Sequence, residues 1–406
     1  MARAGMTAAS AGRWPSVPGW RSLWRDVNAA NVAAGVVSAL LAMTGPVLLL
    51  LQAATAAGFT PRQTVSWVFA AYAAGGLFSI VMPLRYRIPV TGAHSLTGVA
   101  YLAGVASHFT FPQLVGGYVM SALLILLLGV TGVYARLLAW VPGPVVSAML
   151  AGLIAPYVAN LAVAARALPL IAACTFAGYL AAARWAGRVP PVAGAVVGGF
   201  AALVCTHGIT LGHGSGWLWP HAQVPAFTLP GLYAVALPLA LLILGNDITP
   251  GLGALTSFGF RPPVRSLVAC SGIASLAASM FGGHCANVAG MMTAICADEA
   301  AGPPAARYVA SMVSGLLLIL FGLFAFVVVP FFSALPSAFL TLLAGCSLLG
   351  PFANSLRASF AEGSHLLASA VTFAIALSNV TVFHIGAAIW ALAAGCLTAR
   401  LLGPRP

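Results

Sequence analysis

The chain of 406 residues is 61% hydrophobic and only 5% charged, and its formal net charge is +12. Soluble globular domains carry about 25% charged residues, so this composition excludes a soluble domain. The positive charge comes from arginines that stand singly or in pairs at the ends of apolar runs, a distribution typical of membrane orientation signals and not of a nucleic-acid-binding face.

Apolar runs long enough to cross a bilayer follow one another along the sequence after a tail of residues 1–30, in which an interfacial helix is expected around Trp20–Trp24. We predict about fourteen transmembrane segments. Their approximate ranges are 31–52, 64–82, 94–107, 113–133, 137–160, 167–185, 190–209, 231–250, 264–281, 286–297, 307–330, 334–352, 364–378 and 380–402. The third and the tenth are too short to cross a bilayer as single helices, and irregular Gly/Pro-rich sequence precedes each of them.

The arginines predict the orientation of this chain. With both termini in the cytoplasm, only Arg62 and Arg166 fall on the opposite side of the membrane, as the positive-inside rule requires. We therefore expect a multi-pass protein of the bacterial inner (cytoplasmic) membrane. The seven cysteines are scattered through apolar segments without a CxxC pair, so neither a disulfide framework nor a metal site is expected.

The two halves of the sequence share a pattern. Residues 57–62 read AGFTPR after the first span, and residues 258–263 read FGFRPP after the eighth. Each motif follows a span that we expect to be broken by a proline, at 44–46 (TGP) and at 246–250 (NDITP). One further span and then one of the two short segments follow each motif. The sequence thus predicts an all-α polytopic membrane protein built as a 7+7 inverted repeat, in which two half-helices, the third and the tenth, are preceded by extended segments.

Asp247 is the only one of the five acidic residues that lies inside a predicted span. A carboxylate at membrane depth costs a few kcal/mol, and it is a functional hypothesis by default. The alternative role is to cap a second half-helix that begins at Thr249-Pro250. We take Asp247 as a candidate proton carrier and, with Asn246, as a candidate for substrate binding.

His94 and His284 open the two short segments, and imidazole can donate to a carboxylate or, when protonated, pair with one. We take both as candidate substrate-binding residues and His94 also as a candidate for proton coupling; two coincidental interfacial histidines are the alternative. The other histidines are interpreted as loop, span-end or packing residues: His108, His207, His213, His221, His365 and His384.

Helices that begin near Ala93–Ser95 and Cys285–Asn287 would point their free N–H groups and positive dipole ends toward the membrane midplane. That geometry favours an anion. Ser95 and Asn287 would then cap these helices or contact the substrate. Gly92 and Gly283, in the irregular stretches just before the helices, complete the candidate site.

Several stretches together resemble a known family. They are 83–90 (PLRYRIPV), 251–255 (GLGAL), 259–264 (GFRPPV), 281–283 (FGG) through Asn287 to 293–296 (TAIC), 305–308 (AARY), 334–336 (ALP) and 342–345 (LLAG). On these residues the chain resembles the bacterial benzoate:proton symporters (BenE-type) and, more distantly, the nucleobase permeases of the uracil permease fold. The resemblance runs from the second span to beyond the twelfth.

The resemblance implies proton-driven uptake of an aromatic carboxylate, often by a homodimer, with core and gate domains that move against each other. The domain ranges are a cytoplasmic tail at 1–30, core halves at 31–133 and 231–330, and gate halves at 134–230 and 331–406.

Three departures from the family pattern fall on candidate site residues. His94 stands where the family has a bulky aromatic residue, Asp247 stands where it has an amide, and His284-Cys285 precede Asn287. In the nucleobase permeases an acidic residue of the eighth span contacts the substrate and takes part in proton coupling, and Asp247 occupies about that place. A hydroxylated aromatic acid or a heterocycle therefore stays open as the cargo.

The leading hypothesis is a proton-coupled symporter of benzoate or a similar aromatic anion, with the proton as coupling ion and no cofactor. The second keeps the scaffold and carries a nucleobase or another neutral heterocycle. A third hypothesis, an intramembrane metal protein, would use His284, Cys285, Met291 and Met292 as soft ligands, although their spacing matches no known metal signature. No Ser/His/Asp or paired-carboxylate arrangement at membrane depth indicates an enzyme.

Overall fold

The computed structural model describes residues 20–134, 142–185, 191–207, 218–361, 365–378, 380 and 387–402. Over these ranges the chain is mainly helical. The helices are α1 (Trp20–Asp26), α2 (Ala29–Thr44), α3 (Pro46–Ala56), α4 (Pro61–Tyr86), α5 (Leu96–Val105), α6 (Phe111–Thr131), α7 (Gly143–Ala167), α8 (Pro169–Trp185), α9 (Pro191–His207), α10 (Leu229–Ser257), α11 (Val264–Ser279), α12 (Gly290–Ala297), α13 (Tyr308–Leu323), α14 (Ala325–Ser333), α15 (Ser337–Phe360), α16 (Leu366–Ser378) and α17 (Ala387–Leu402).

In the part of the chain that the structure describes, seven helical stretches are long and apolar enough to cross a membrane. They are Ala29–Ala56 (α2 with α3), Pro61–Tyr86, Phe111–Thr131, Gly143–Ala167, Leu229–Ser257, Pro304–Leu323 and Ser337–Phe360. Large apolar side chains on their outward faces are exposed, such as Leu77, Leu127 and Val163 at 57%, 58% and 68%. An outward face of this kind suits lipid. The chain is therefore a multi-pass membrane protein.

Short polar sequences fix where the first helices begin. Asn28 with Asn31, and Thr60 with Gln63, form reciprocal capping boxes at the starts of α2 and α4. Each box satisfies N–H groups that a helix start leaves without an intrahelical partner. At its other end α4 stops at Arg87, whose φ of 54° is left-handed, so the chain leaves the helix sharply there.

Only one of the two proline-containing spans is broken as expected. The first is interrupted at Gly45-Pro46, between α2 and α3, as the sequence predicts. The eighth is not broken at Thr249-Pro250, because α10 runs on to Ser257 and widens instead into π-helical turns at Leu232–Ala236 and Ile243–Ile248. The alternative role of Asp247 as a helix cap is therefore wrong, since Asp247 lies within the second π-helical turn and starts no helix.

Small residues allow the long helices to approach closely. A Cβ atom added at Gly76 of α4 would lie 2.5 Å from the carbonyl oxygen of Gly315 in α13, and one added at Gly272 of α11 would lie 2.5 Å from the backbone nitrogen of Leu126 in α6. Helices pack through such small-residue contacts where lipid supplies no hydrophobic driving force. By such contacts α4 packs against α13, and α6 packs against α11.

One two-stranded antiparallel sheet lies within the described ranges. Strand β1 (Gly92–Ala93) pairs with β2 (Asn287–Val288), with Gly92 opposite Val288 and Ala93 opposite Asn287. The short helices α5 and α12 follow β1 and β2 directly. The expected extended segments before the third and tenth spans are thus present. The second start is corrected, because α12 begins at Gly290 and Asn287 belongs to the strand.

Candidate functional site

The starts of α5 and α12 meet at the β1–β2 pair. Since the strands are antiparallel, the two helices leave the pair in opposite directions with their N-termini toward it. Ser95 caps α5 by accepting a hydrogen bond from the Gly98 N–H at 3.0 Å, whereas Ala289 gives α12 no side-chain cap. The first N–H groups of a helix need partners at membrane depth, so these starts form a site suited to an anion.

Two serines hold the strands in place. Ser79 of α4 accepts a hydrogen bond from the Gly92 N–H at 2.7 Å, and its hydroxyl proton is shared between the Gly75 and Gly92 carbonyls, at 2.9 and 3.0 Å. Ser275 of α11 likewise binds both the N–H and the carbonyl of Ala286, at 3.0 and 3.1 Å. Each short strand is therefore attached to the long helix that precedes it, which keeps the following half-helix in register.

His284 is held in one tautomer by its neighbours. It is 1% exposed, its Nδ1 lies 3.1 Å from the indole Nε1 of Trp67, and its Nε2 lies 3.1 Å from the carbonyl oxygen of Ser95. Indole N–H only donates and a carbonyl only accepts, so Nδ1 must accept while Nε2 carries the proton. The imidazole is therefore neutral in this arrangement, and it joins α4 to the start of α5.

His94 differs from His284 in its hydrogen bonding, although the centroids of the two rings are only 5.6 Å apart. It is 7% exposed, and neither of its ring nitrogens has a hydrogen-bond partner among the described residues. The ring stands edge-on to that of Tyr72, with 4.9 Å between centroids. A buried imidazole without partners is unusual in a folded protein, so His94 is available to a ligand or water.

The Asp247 carboxylate lies against the side chains of Ser95 and Asn287. Its Oδ2 atom and the Oδ1 atom of Asn287 are buried and have no hydrogen-bond partner within the described ranges. The same holds for the amide nitrogen of the neighbouring Asn246. Among the described residues, the only ion pair joins Arg87 to Asp26. No described cationic side chain therefore neutralises Asp247.

The two glycines of the predicted site pack against α4. A Cβ atom at Gly92 would lie 2.6 Å from the ring of Phe78, and one at Gly283 would lie 2.8 Å from the Cβ of Ala70. Larger residues at these positions would push the strands away from α4. Their predicted contact with substrate stays a prediction.

Sequence reasoning missed three aromatic residues, Trp67, Tyr72 and Tyr118, which surround the two histidines. Trp67 and Tyr72 are each 1% exposed, and the Tyr118 ring lies 6.3 Å from that of His284. Aromatic side chains with a polar tip favour membrane interfaces. Their position inside spans 64–82 and 113–133 was therefore the feature of the sequence that could have marked them as site candidates.

The geometry does not favour the metal hypothesis at His284. Trp67 and Ser95 occupy both ring nitrogens of this histidine, Cys285 Sγ accepts the Ser95 N–H at 3.0 Å, and Met291 is 49% exposed. The described residues contain no group of three or more His, Cys, Asp or Glu side chains that could hold a metal ion.

Three of the other histidines have described surroundings. His221 lies in the segment before α10 and contacts Ser66 and Gln223, as expected for a loop residue. His108 is exposed at the end of a 3-10 turn, and His365 is partly buried before α16. His213 and His384 lie outside the described residues, as do positions 1–19 of the predicted tail.

A family model described as "BenE: Benzoate membrane transport protein" matches residues 25–401. The chain belongs to the BenE family. The resemblance to the BenE family seen in the sequence is thereby confirmed, and the match includes every residue of the candidate site.

Two curated family relatives align along nearly the whole chain. The chain is 27% identical over 393 residues to the benzoate membrane transport protein of Acinetobacter baylyi, covering 94% of this chain and 97% of that protein. It is 29% identical over 366 residues to the inner membrane protein YdcO of Escherichia coli strain K12, covering 90% and 94%.

Solved transporters share the fold. The transmembrane domain of the cyanobacterial bicarbonate transporter BicA gives a TM-score of 0.57 at 14% identity, covering 92% of this chain and 98% of that domain. SLC26A9 gives a TM-score of 0.64 at 11% identity, covering 92% of this chain and 64% of that one. The predicted relation to the uracil permease fold is not supported by these comparisons, whose structural neighbours are BicA and SLC26A9.

Proposed function

We propose that this protein is a secondary active transporter that takes up benzoate or a similar aromatic carboxylate together with protons. The BenE family match and the relative that is named a benzoate transport protein support the cargo. The observation that carries the proposal is the meeting of the α5 and α12 starts beside Asp247, with several buried polar atoms that have no partner in the described part of the chain.

In this proposal the carboxylate of the substrate binds at the two helix starts. Their N–H groups and dipoles attract negative charge, and the uncapped start of α12 has N–H groups to offer. Ser95, Asn287 and Asn246 surround the same region as polar side chains. An anionic substrate and an ionised Asp247 would repel each other, so binding of the anion favours the protonated form of the Asp247 carboxyl group.

Asp247 is the proposed proton carrier for this reason. It has no cationic partner among the described residues, and protonation removes its charge beside the substrate. His94 is the second candidate for proton coupling, because its ring nitrogens are not engaged. His284 fits this role poorly, since a proton on Nδ1 would oppose the Trp67 N–H and break that bond.

The 7+7 inverted repeat remains part of the proposal. Its support is the matched surroundings of the two strands: Ser79 binds Gly92 as Ser275 binds Ala286, and each strand leads into a short helix. We keep the core halves at 31–133 and 231–330 and the gate halves at 134–230 and 331–406. Core motion against the gate would expose the helix starts to each side in turn.

Orientation and assembly are also proposals. The arginine distribution supports cytoplasmic termini in the bacterial inner membrane, where one relative is named an inner membrane protein. Cysteine labelling of substituted loop positions from each side of the membrane tests the orientation. The size of the purified protein in detergent and in lipid nanodiscs tests the homodimer.

The first test of function is uptake of radiolabelled benzoate by proteoliposomes under an imposed inward proton gradient. We expect uptake that stops when a protonophore collapses the gradient and that other aromatic acids inhibit. Uptake that is insensitive to the gradient would remove proton coupling. Binding of uracil or xanthine with no benzoate uptake would replace the aromatic acid by a heterocycle as the cargo.

A further inference from the structure

His94 needs a hydrogen-bond partner that its protein neighbours do not supply. Both ring nitrogens are without one in the described part of the chain, and the side chain is only 7% exposed. Neutral imidazole has one N–H donor and one acceptor nitrogen. Buried polar groups of folded proteins are satisfied in the great majority of cases, so a molecule bound at the site is the natural partner.

The polar atoms of the two aromatic rings that contact His94 are already hydrogen-bonded elsewhere. The hydroxyl of Tyr72 donates to the Ala42 carbonyl at 2.7 Å, and both nitrogens of His284 are engaged by Trp67 and Ser95. A change of tautomer or a ring flip at His94 would not find a partner among them. The ring nitrogens of His94 therefore stay without a partner from these two neighbours.

His94 adjoins the helix starts where the substrate carboxylate is proposed to bind. It precedes Ser95, whose side chain faces Asp247. Benzoate has hydrogen-bonding atoms only in its carboxylate, so its unsubstituted ring would leave His94 unsatisfied. A ring hydroxyl both donates and accepts, and it can serve either nitrogen of the imidazole.

We propose that the substrate of this site is an aromatic carboxylate that bears a ring hydroxyl group, and that His94 selects it by a hydrogen bond to that hydroxyl. This inference rests on the proposed function, because it assumes that the carboxylate binds at the helix starts. His94 is then the residue that determines specificity for the ring.

The test compares inhibition constants of four acids against radiolabelled benzoate uptake in proteoliposomes. They are benzoate, 3-hydroxybenzoate, 4-hydroxybenzoate and 2-hydroxybenzoate, the last being a matched control because its hydroxyl binds its own carboxylate. We expect 3- or 4-hydroxybenzoate to inhibit about fivefold more strongly than benzoate, the effect of one net hydrogen bond. In His94→Phe we expect the ratio of the benzoate inhibition constant to the hydroxybenzoate inhibition constant to fall to about one. The control variant His108→Gln, changed at an exposed position, should keep the wild-type ratio.

Equal inhibition by benzoate and all the hydroxybenzoates in the wild type would overturn the inference, and so would a preference that persists in His94→Phe. Thermal stabilisation of the detergent-purified protein by each acid gives the same ranking without the need for transport. If no aromatic acid stabilises the wild-type protein or inhibits uptake, the proposed function itself fails. If benzoate is taken up but the ratio of the inhibition constants is the same in the wild type and in His94→Phe, the inference about His94 fails while the proposed function stands.

Discussion

The contrast between His284 and His94 gives a stability prediction with a matched control. His284→Phe removes the acceptor for the Trp67 N–H and the donor to the Ser95 carbonyl. His94→Phe makes the same chemical change on a ring 5.6 Å away that has no partner in the described part of the chain. The first variant should therefore be much less stable than the second.

The magnitude follows from the burial of the partners. Trp67 and His284 are both 1% exposed, so water cannot replace the lost bonds. The Trp67 N–H left without a partner costs about 1–3 kcal/mol, and loss of the bond to the Ser95 carbonyl, which keeps the Val99 N–H, costs about 1 kcal/mol more. His284→Phe should therefore cost about 2–4 kcal/mol. His94→Phe leaves no new group unpaired, and we expect a change within about 1 kcal/mol.

The assay is thermal unfolding of the purified variants in one detergent, followed by loss of the monodisperse peak after heating. At about 2–4 °C per kcal/mol, His284→Phe should lower the midpoint by at least about 4 °C. The double variant Trp67→Phe with His284→Phe should cost less than the sum of the single variants, because the unpaired indole N–H is gone. His94→Phe as destabilising as His284→Phe would refute the hydrogen-bond assignment.

Three further predictions concern other parts of the molecule. Asp247→Asn should lower gradient-driven uptake at least about tenfold, because the amide cannot carry a proton, and wild-type rates would remove Asp247 from coupling. Gly76→Ala should lower the thermal midpoint by several degrees, since the added Cβ would lie 2.5 Å from the Gly315 carbonyl oxygen. Gly253→Ala is the control, because a Cβ added there would have no atom within 4 Å. Equal shifts of the midpoint in the two variants would contradict the close packing at Gly76. Burial and the nearby Arg62 lower the pKa of His221, so its docking on Ser66 is stable above about pH 6.5 and weakens as the pH falls. The protection of residues 218–228 against hydrogen exchange, corrected for the intrinsic pH dependence of amide exchange, should fall between about pH 7 and pH 5 in the wild type but not in His221→Asn. Protection that does not change with pH would count against this prediction.

The sequence by itself determined the environment and the parts of the site. Scarcity of charge and long apolar runs required a membrane, because such a chain cannot cover a surface in water. The short third and tenth segments, each behind Gly/Pro-rich sequence, predicted interrupted helices, and α5 begins at Leu96, next to the predicted Ala93–Ser95. Asp247 was recognisable because a carboxylate within an apolar span is costly.

The tertiary structure decided which of these parts meet and what each contacts. The register of β1 with β2, the inclusion of Asn287 in a strand and the unbroken course of α10 through Asp247 depend on packing between segments that lie far apart in the sequence. His94 and His284 look alike in sequence, each at the start of a short segment. Only the position of Trp67, 217 residues before His284, makes one a neutral bridge and leaves the other without a partner in the described ranges. Hydropathy and charge are local properties of a chain, whereas hydrogen-bond satisfaction is set by neighbours in space.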